Sequence, residues 1–395
     1  MAAQEVVNRK IGLGGWFSLA TAAATATVVG FASTILIIME AARAVGANPA
    51  QQASWAAALC FGMAISTLLL SWLHRMPIVT AWSTPGAALI ATTTGITYEN
   101  ALGAFVVAGL LMCLTAFITP LARAIERIPG PIASAMLAGV LLRYCLGVPA
   151  AAQAMPFVVL PLIALYFALR LAVPLFAVPV AVLAGVLAAL GLGELGECCS
   201  IGISWLAWTT PAFDPTTIIG LGVPLYLVTM ASQNLPGFAV LKAAGYAPPV
   251  KSSLWVTGVG STLLAPFGAH AINLAAITAS IVTGPDCHPD ATRRWLMAWP
   301  YFLFYAAVGI LAATCIEVLG TLPKPLITAI AGLALFGPLL GSATAMFKTS
   351  ATIEPALVTF LVTASGLAIS GVGSAFWGLA AGLVIYLARQ TMKRG

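Results

Sequence analysis

Between Ile11 and Met39 the chain carries no charged side chain, and apolar stretches of about 20 residues recur from there to its end. Each is long enough to cross about 30 Å of hydrocarbon. Only 7% of the residues are charged, against about 25% in a soluble domain, so no soluble surface can be built from this chain. The expectation is an all-α polytopic membrane protein with no separate soluble domain. The Ile11–Met39 run is too long for the apolar core of a signal peptide and reads as an uncleaved first span.

Hydropathy places fourteen spans, with the third near 77–96, the eighth near 215–238 and the tenth near 266–283. Basic residues test that count, because they gather in cytoplasmic loops. With the N-terminus inside, Arg9, Lys10, Arg75, Arg123, Arg127, Arg170, Lys242, Lys251, Arg293, Arg294, Lys348, Arg389, Lys393 and Arg394 fall on the inner side. Arg43, Arg143 and Lys324 fall outside, a split of 14 against 3 that accounts for all 17. Both termini are therefore expected in the cytoplasm. The net charge of +6 follows from this topology and does not suggest nucleic acid. Seven cysteines, single except for Cys198 and Cys199, form neither a CxxC motif nor a disulfide framework and read as packing.

Fourteen is twice seven, and a repeat with an odd number of spans inserts its second copy upside down. "STPGAALIAT" from Ser83 and "AHAINLAAIT" from Ala269 share a texture at the spans that such a repeat pairs. Residues 1–192 are expected to form the first inverted repeat, 193–214 an extracytoplasmic connecting loop, and 215–395 the second repeat.

The third and tenth spans both read as broken, a short extended strand followed by a half-helix. Ile78, Val79 and Thr80 favour an extended start. Ser83 or Thr84 then caps a helix with Pro85 in its first turn. In the tenth span Pro266 and Gly268 interrupt, and helix is expected to resume near Ala269 or His270. Irregular backbone at membrane depth survives only inside protein or beside a cavity. Two half-helix N-termini meeting there make an anion site; the plainer alternative is two proline-kinked helices.

The candidate ligand-binding residues are Ser83, Thr84, Gly86, Gln233, Asn234, Ala269, His270 and Asn273. His270 either donates to a carboxylate, or titrates and carries a proton, or is a neutral imidazole bonded to a backbone carbonyl. Asn273, one helical turn on, faces the same ligand or a neighbouring helix. Ser232, Gln233 and Asn234 are consecutive, so Gln233 or Asn234 points into the cavity unless both hold helices together. Glu40 is an interfacial carboxylate or a proton acceptor. Trp82 stacks on an aromatic ligand or simply packs. No metal site and no cofactor motif is visible. Neither GxSxG, HExxH nor a Walker A sequence occurs, which argues against an enzyme.

"TMASQNLPGF", "PFGAHAINLAAIT" and "AWSTPGAALI" resemble the benzoate:proton symporter (BenE) family, related in fold to nucleobase transporters with seven-plus-seven inverted repeats. The resemblance implies a core domain from about 14–130 and 215–320, and a gate domain from about 131–192 and 321–395. It also implies substrate between the third and tenth spans, and a possible homodimer. The nucleobase carriers place glutamates where Gln233 and His270 stand here. Neutral donors suit a carboxylate, which only accepts hydrogen bonds.

The expected function is import of benzoate or a similar aromatic monocarboxylate with protons across the inner membrane. An anion entering alone works against about 2.3 kcal/mol per charge per 100 mV, and a co-transported proton cancels that cost. His270 and Glu40 are the candidate proton carriers, with the proton as coupling ion and no other cofactor. The alternatives are a nucleobase or inorganic-anion carrier of the same fold, and a channel.

Overall fold

The computed structural model describes residues 12–118, 129–193, 202–369 and 372–392. Cys198, Cys199, Arg9, Lys10, Arg123, Arg127, Lys393 and Arg394 lie outside them. The chain is mostly helical. In order come α1 (Leu13–Ala44), α2 (Pro49–His74), β1 (Thr80–Trp82), α3 (Thr84–Ala91), α4 (Tyr98–Phe117), α5 (Gly130–Cys145), α6 (Gly147–Ala154), α7 (Pro156–Ala172) and α8 (Ala177–Gly191). After the connecting segment come α9 (Pro215–Ala243), α10 (Val250–Leu264), β2 (Ile272–Leu274), α11 (Ile277–Thr283), α12 (Ala298–Ile310), α13 (Ala312–Gly320), α14 (Lys324–Met346), α15 (Ile353–Ser365) and α16 (Ser374–Met392). Among the described residues six helical stretches are long and apolar enough to cross a bilayer. The count is seven if residues 291–320, bent by 56° after Ile310, act as one. This is a multi-pass membrane protein.

Helix starts follow local chemistry. Asn48 Oδ1 accepts from Gln51 N at 2.9 Å and Gln51 Oε1 accepts from Asn48 N at 2.9 Å, a reciprocal cap ahead of α2. Asp214 caps α9: the Thr217 hydroxyl and N–H both donate to its carboxylate, which holds the carboxyl below its usual range. Small residues let the helices approach. A Cβ on Gly258 of α10 would stand 2.8 Å from the Cys113 backbone nitrogen and 3.0 Å from the Gly109 carbonyl of α4. Cys60, Cys113 and Cys287 are buried free thiols, as packing predicts.

Residues 202–214 run extended over the ends of the helices. They are tied down by Ser204 N to the Ile310 carbonyl, Ala207 N to Ser54 Oγ, Thr209 N to the Pro266 carbonyl and Ala212 N to the Glu99 carbonyl.

β1 and β2 form a two-stranded antiparallel ribbon at the centre of the molecule, pairing Thr80 with Leu274, Ala81 with Asn273 and Trp82 with Ile272. Ser83 N to the Ala271 carbonyl and Ala275 N to the Val79 carbonyl extend it. A bare ribbon edge inside an apolar protein leaves unpaired N–H and C=O groups, each costly to bury. Side chains close both edges. Thr67 Oγ1 accepts from Thr80 N and Tyr301 Oη donates to the Thr80 carbonyl. On β2, Ser261 Oγ accepts from Ile272 N and Asn234 Oδ1 accepts from Leu274 N at 2.9 Å.

The sequence expectation for the second break is corrected here. Helix does not resume near Ala269 or His270 but at Ile277, because residues 271–275 pair with β1. Helix across that stretch would strip β1 of its partner. Asn273 therefore sits in a strand rather than one helical turn beyond His270.

Candidate functional site

The cap of α3 fixes the first wall of the site. Ser83 Oγ accepts from Gly86 N at 3.1 Å and from Thr229 Oγ1 at 3.0 Å, and the Ser83 carbonyl accepts from Ala87 N. Pro85 has no N–H to offer. The first turn therefore keeps one free backbone donor, Thr84 N–H, beside a Thr84 hydroxyl that makes no hydrogen bond among the described residues. Both lie at the positive end of the helix.

A cavity of about 430 Å³ opens there, between α1, α3, α5, α7, α8, α9, α11 and α14. It joins a smaller one of about 110 Å³ through shared residues that include Thr84, Gln233 and Ala276. Trp82 and Tyr305 form an aromatic wall of the smaller cavity. Trp82 Nε1 donates to Thr34 Oγ1 at 2.7 Å, which fixes the ring.

Gln233 faces both cavities and its amide has no protein partner among the described residues. It is presented by a π-helical turn, Met230–Asn234. Pro236 follows within one turn, so the ladder ahead of it loses a donor and widens. That widening separates the consecutive polar residues. Gln233 reaches the cavity, while Asn234, fully buried, closes the β2 edge and contacts Met230 Sδ at 3.4 Å.

His270 stands behind the cavity, not in it. It is fully buried, Trp55 Nε1 donates to its Nδ1 at 3.1 Å, and its Nε2 lies 2.9 Å from the Ser83 carbonyl. An indole N–H only donates and a carbonyl only accepts. The ring is therefore the neutral Nε2–H tautomer, bonded to the carbonyl of the residue that caps α3. Trp55 and Phe105 pack their rings on it, 5.8 and 6.2 Å away. His270 in this arrangement has no free nitrogen for a ligand or a second proton.

Of the remaining sequence candidates, Ser83, Gly86, Ala269 and Asn273 are likewise placed behind the wall. Ser83 and Asn273 are fully buried and line neither cavity. Asn273 Nδ2 donates to the Leu274 carbonyl, and its Oδ1 is unpaired among the described residues. Gly86 is packed under Leu225 and Ser83, where a Cβ would not fit, and its N–H is spent on the cap. Ala269 N bonds the Leu264 carbonyl. Glu40 pairs with Arg43 at 3.1 Å, both half-exposed, and lines neither cavity.

Sequence reasoning missed Trp55, Thr34, Tyr305 and above all Arg170. Arg170 was counted as an inner-loop charge, yet it lines the larger cavity. The Gly337-Pro338 pair inside the facing helix was the available signal. Trp55 left none.

Comparison with known proteins adds the lineage. Residues 17–388 match BenE, described as "Benzoate membrane transport protein". The inner membrane protein YdcO of Escherichia coli (strain K12) is 39% identical over 92% of this chain and 93% of its own. The benzoate membrane transport protein of Acinetobacter baylyi (strain ATCC 33305 / BD413 / ADP1) is 30% identical over 91% and 92%. Among solved structures, the fold is similar to the murine Slc26a9 anion transporter in the inward-facing state, at TM-score 0.63 and 12% identity over 95% of this chain and 68% of that one. It is also similar to the transmembrane domain of the cyanobacterial bicarbonate transporter BicA, at TM-score 0.55 and 15% identity over 90% and 99%. With a whole-length family match and two relatives aligned nearly end to end, this chain belongs to the BenE family of membrane transport proteins and is not an enzyme.

Proposed function

We propose that this protein is a secondary transporter that carries benzoate or a similar aromatic monocarboxylate into the cell together with protons. The observation that carries this reading is the make-up of the paired cavities. Donors without protein partners, Thr84 N–H, its hydroxyl and the Gln233 amide, face an aromatic wall of Trp82 and Tyr305. Among the described residues no acidic side chain lines either cavity. A carboxylate takes donors at one end and its ring takes the apolar wall. A nucleobase, with N–H edges of its own, calls for acceptors. The name of the Acinetobacter baylyi relative points the same way.

The chain in this reading crosses the inner membrane fourteen times as two inverted repeats, residues 1–192 and 215–395, joined by the extracytoplasmic segment 193–214, with both termini inside. The ribbon and the two helices after it, α3 and α11, are the broken third and tenth spans. A core of about 14–130 and 215–320 holds the substrate against a gate of about 131–192 and 321–395, and two copies form a homodimer. Thr84 and Gln233 hold the ligand. Ser83, Asn234, His270 and Asn273 hold the wall that presents them.

Equilibrium binding to the purified protein tests this. Labelled benzoate is expected to bind saturably and to be displaced by other aromatic carboxylates, but not by uracil or sulfate. Displacement by uracil or by sulfate in preference would assign a nucleobase or an inorganic-anion carrier instead.

A further inference from the structure

Arg170 sits in the last turn of α7 and lines the larger cavity with Tyr166, but not the smaller one. Its placement is built rather than incidental. Nη1 donates to Tyr166 Oη at 2.9 Å. The guanidinium carbon lies 5.1 Å from the centre of the Phe336 ring. Gly337 leaves the room: a Cβ there would stand 3.2 Å from Nη1. Pro338, inside α14, has no N–H for the Ala334 carbonyl one turn before it, so the helix is weakened where the arginine docks.

Among the described residues the charge has no acidic partner. The ion pairs among the described residues are Arg43–Glu40, Arg293–Asp290 and Arg389–Glu354, and none involves Arg170. A guanidinium stays protonated and carries five donors in a fixed fork, of which the Tyr166 oxygen takes one. Beside a wall this apolar such a charge is costly without a partner. Its planar fork matches a carboxylate with two parallel hydrogen bonds.

We infer that Arg170 is a second carboxylate-binding station on the substrate path, separate from the one at Thr84 and Gln233. Leu137, Leu141 and Leu335 supply the apolar wall for the ring there. This inference rests on the cavity being the substrate path. It makes Arg170 the residue that selects a charged carboxylate over a neutral isostere, which the uncharged donors at Thr84 and Gln233 do weakly.

The test uses full-length protein in lipid nanodiscs, with two readouts. The first is equilibrium binding of benzoate and of benzamide to wild type, Arg170→Gln and Arg170→Lys. The expected result is a loss of benzoate affinity of about 10- to 100-fold in Arg170→Gln, incomplete recovery in Arg170→Lys, and no change for benzamide. The second is protection of Arg170 in the wild-type protein from phenylglyoxal, read by peptide mass spectrometry, so that a variant that fails to fold does not decide the matter. Benzoate is expected to protect and benzamide not to. Benzoate affinity in Arg170→Gln within twofold of wild type, or equal protection by benzamide, overturns the station. A wild-type protein that binds no benzoate, yet whose Arg170 is protected by acetate or sulfate, retires the benzoate reading and keeps an anion station. No protection by benzoate, acetate or sulfate retires the station.

Discussion

His270 sets out the residue-scale logic of this protein. In sequence it is one of three histidines and stands in an uncharged, apolar stretch, which invites a role in ligand or proton binding. In the structure Trp55 donates to one nitrogen and the other bonds the Ser83 carbonyl. His270→Ala leaves the indole N–H unpaired in a sealed interior and takes one of two donors from the Ser83 carbonyl, which keeps its bond from Ala87 N, an expected cost of about 1–3 kcal/mol in stability. Thermal unfolding in detergent measures it, and protonophore-sensitive uptake is expected to survive in the folded fraction. An unchanged melting temperature with coupling abolished would make His270 the proton carrier instead. Gln233 behaves oppositely, since its amide faces open cavity. Gln233→Ala is expected to leave the melting temperature within about 1 °C, because exposed changes away from packed features usually stay within 0.5 kcal/mol. Benzoate affinity is expected to fall about 10-fold, the worth of one hydrogen bond to a charged ligand; equal affinity in a binding assay removes Gln233 from the site.

At the scale of elements, the ribbon of β1 and β2 governs the site. Its two strands satisfy each other, and Thr67, Tyr301, Ser261 and Asn234 close its edges. Gly268 is the hinge into the second strand, with φ at +102° and room for no side chain, since a Cβ would lie 2.7 Å from Trp55 Cβ. Gly268→Ala is expected to destabilise the protein by roughly 1–3 kcal/mol from backbone strain and to weaken binding, because Trp55 is the residue that holds His270. A denaturation series with parallel binding reads both effects; an unaffected variant means the hinge has slack. The start of α3 was legible in advance because Ser83 and Pro85 are local signals: a cap and a first-turn proline. That the extended segment of the tenth span falls after Gly268, where helix was expected, was not. Residues 271–275 have an alanine-rich, helix-favouring composition, and only pairing with Val79–Ser83, nearly two hundred residues away in sequence, makes them extended. The same limit explains Asn234 and Gln233, adjacent in sequence but turned apart by a π-helical turn that no spacing rule exposes. Arg170 was hidden by its position, since an arginine at the end of an apolar helix satisfies the topology rule as well as it lines a cavity.

At the scale of the whole molecule, the proposed transport moves an aromatic carboxylate with protons through the paired cavities. If one proton accompanies one carboxylate, the loaded step carries no net charge beyond that of the protein itself. Uptake driven by a pH gradient is then expected to change little when the membrane potential is clamped at different values, whereas uptake of the bare anion would fall steeply with an inside-negative potential. The most direct measurement is uptake of labelled benzoate into proteoliposomes with an imposed inward proton gradient, beside protein-free liposomes that report passive entry of benzoic acid. The expected result is accumulation above that control that overshoots its equilibrium level and collapses with a protonophore. Uptake no greater than in protein-free liposomes, or saturable uptake indifferent to the proton gradient, would contradict it.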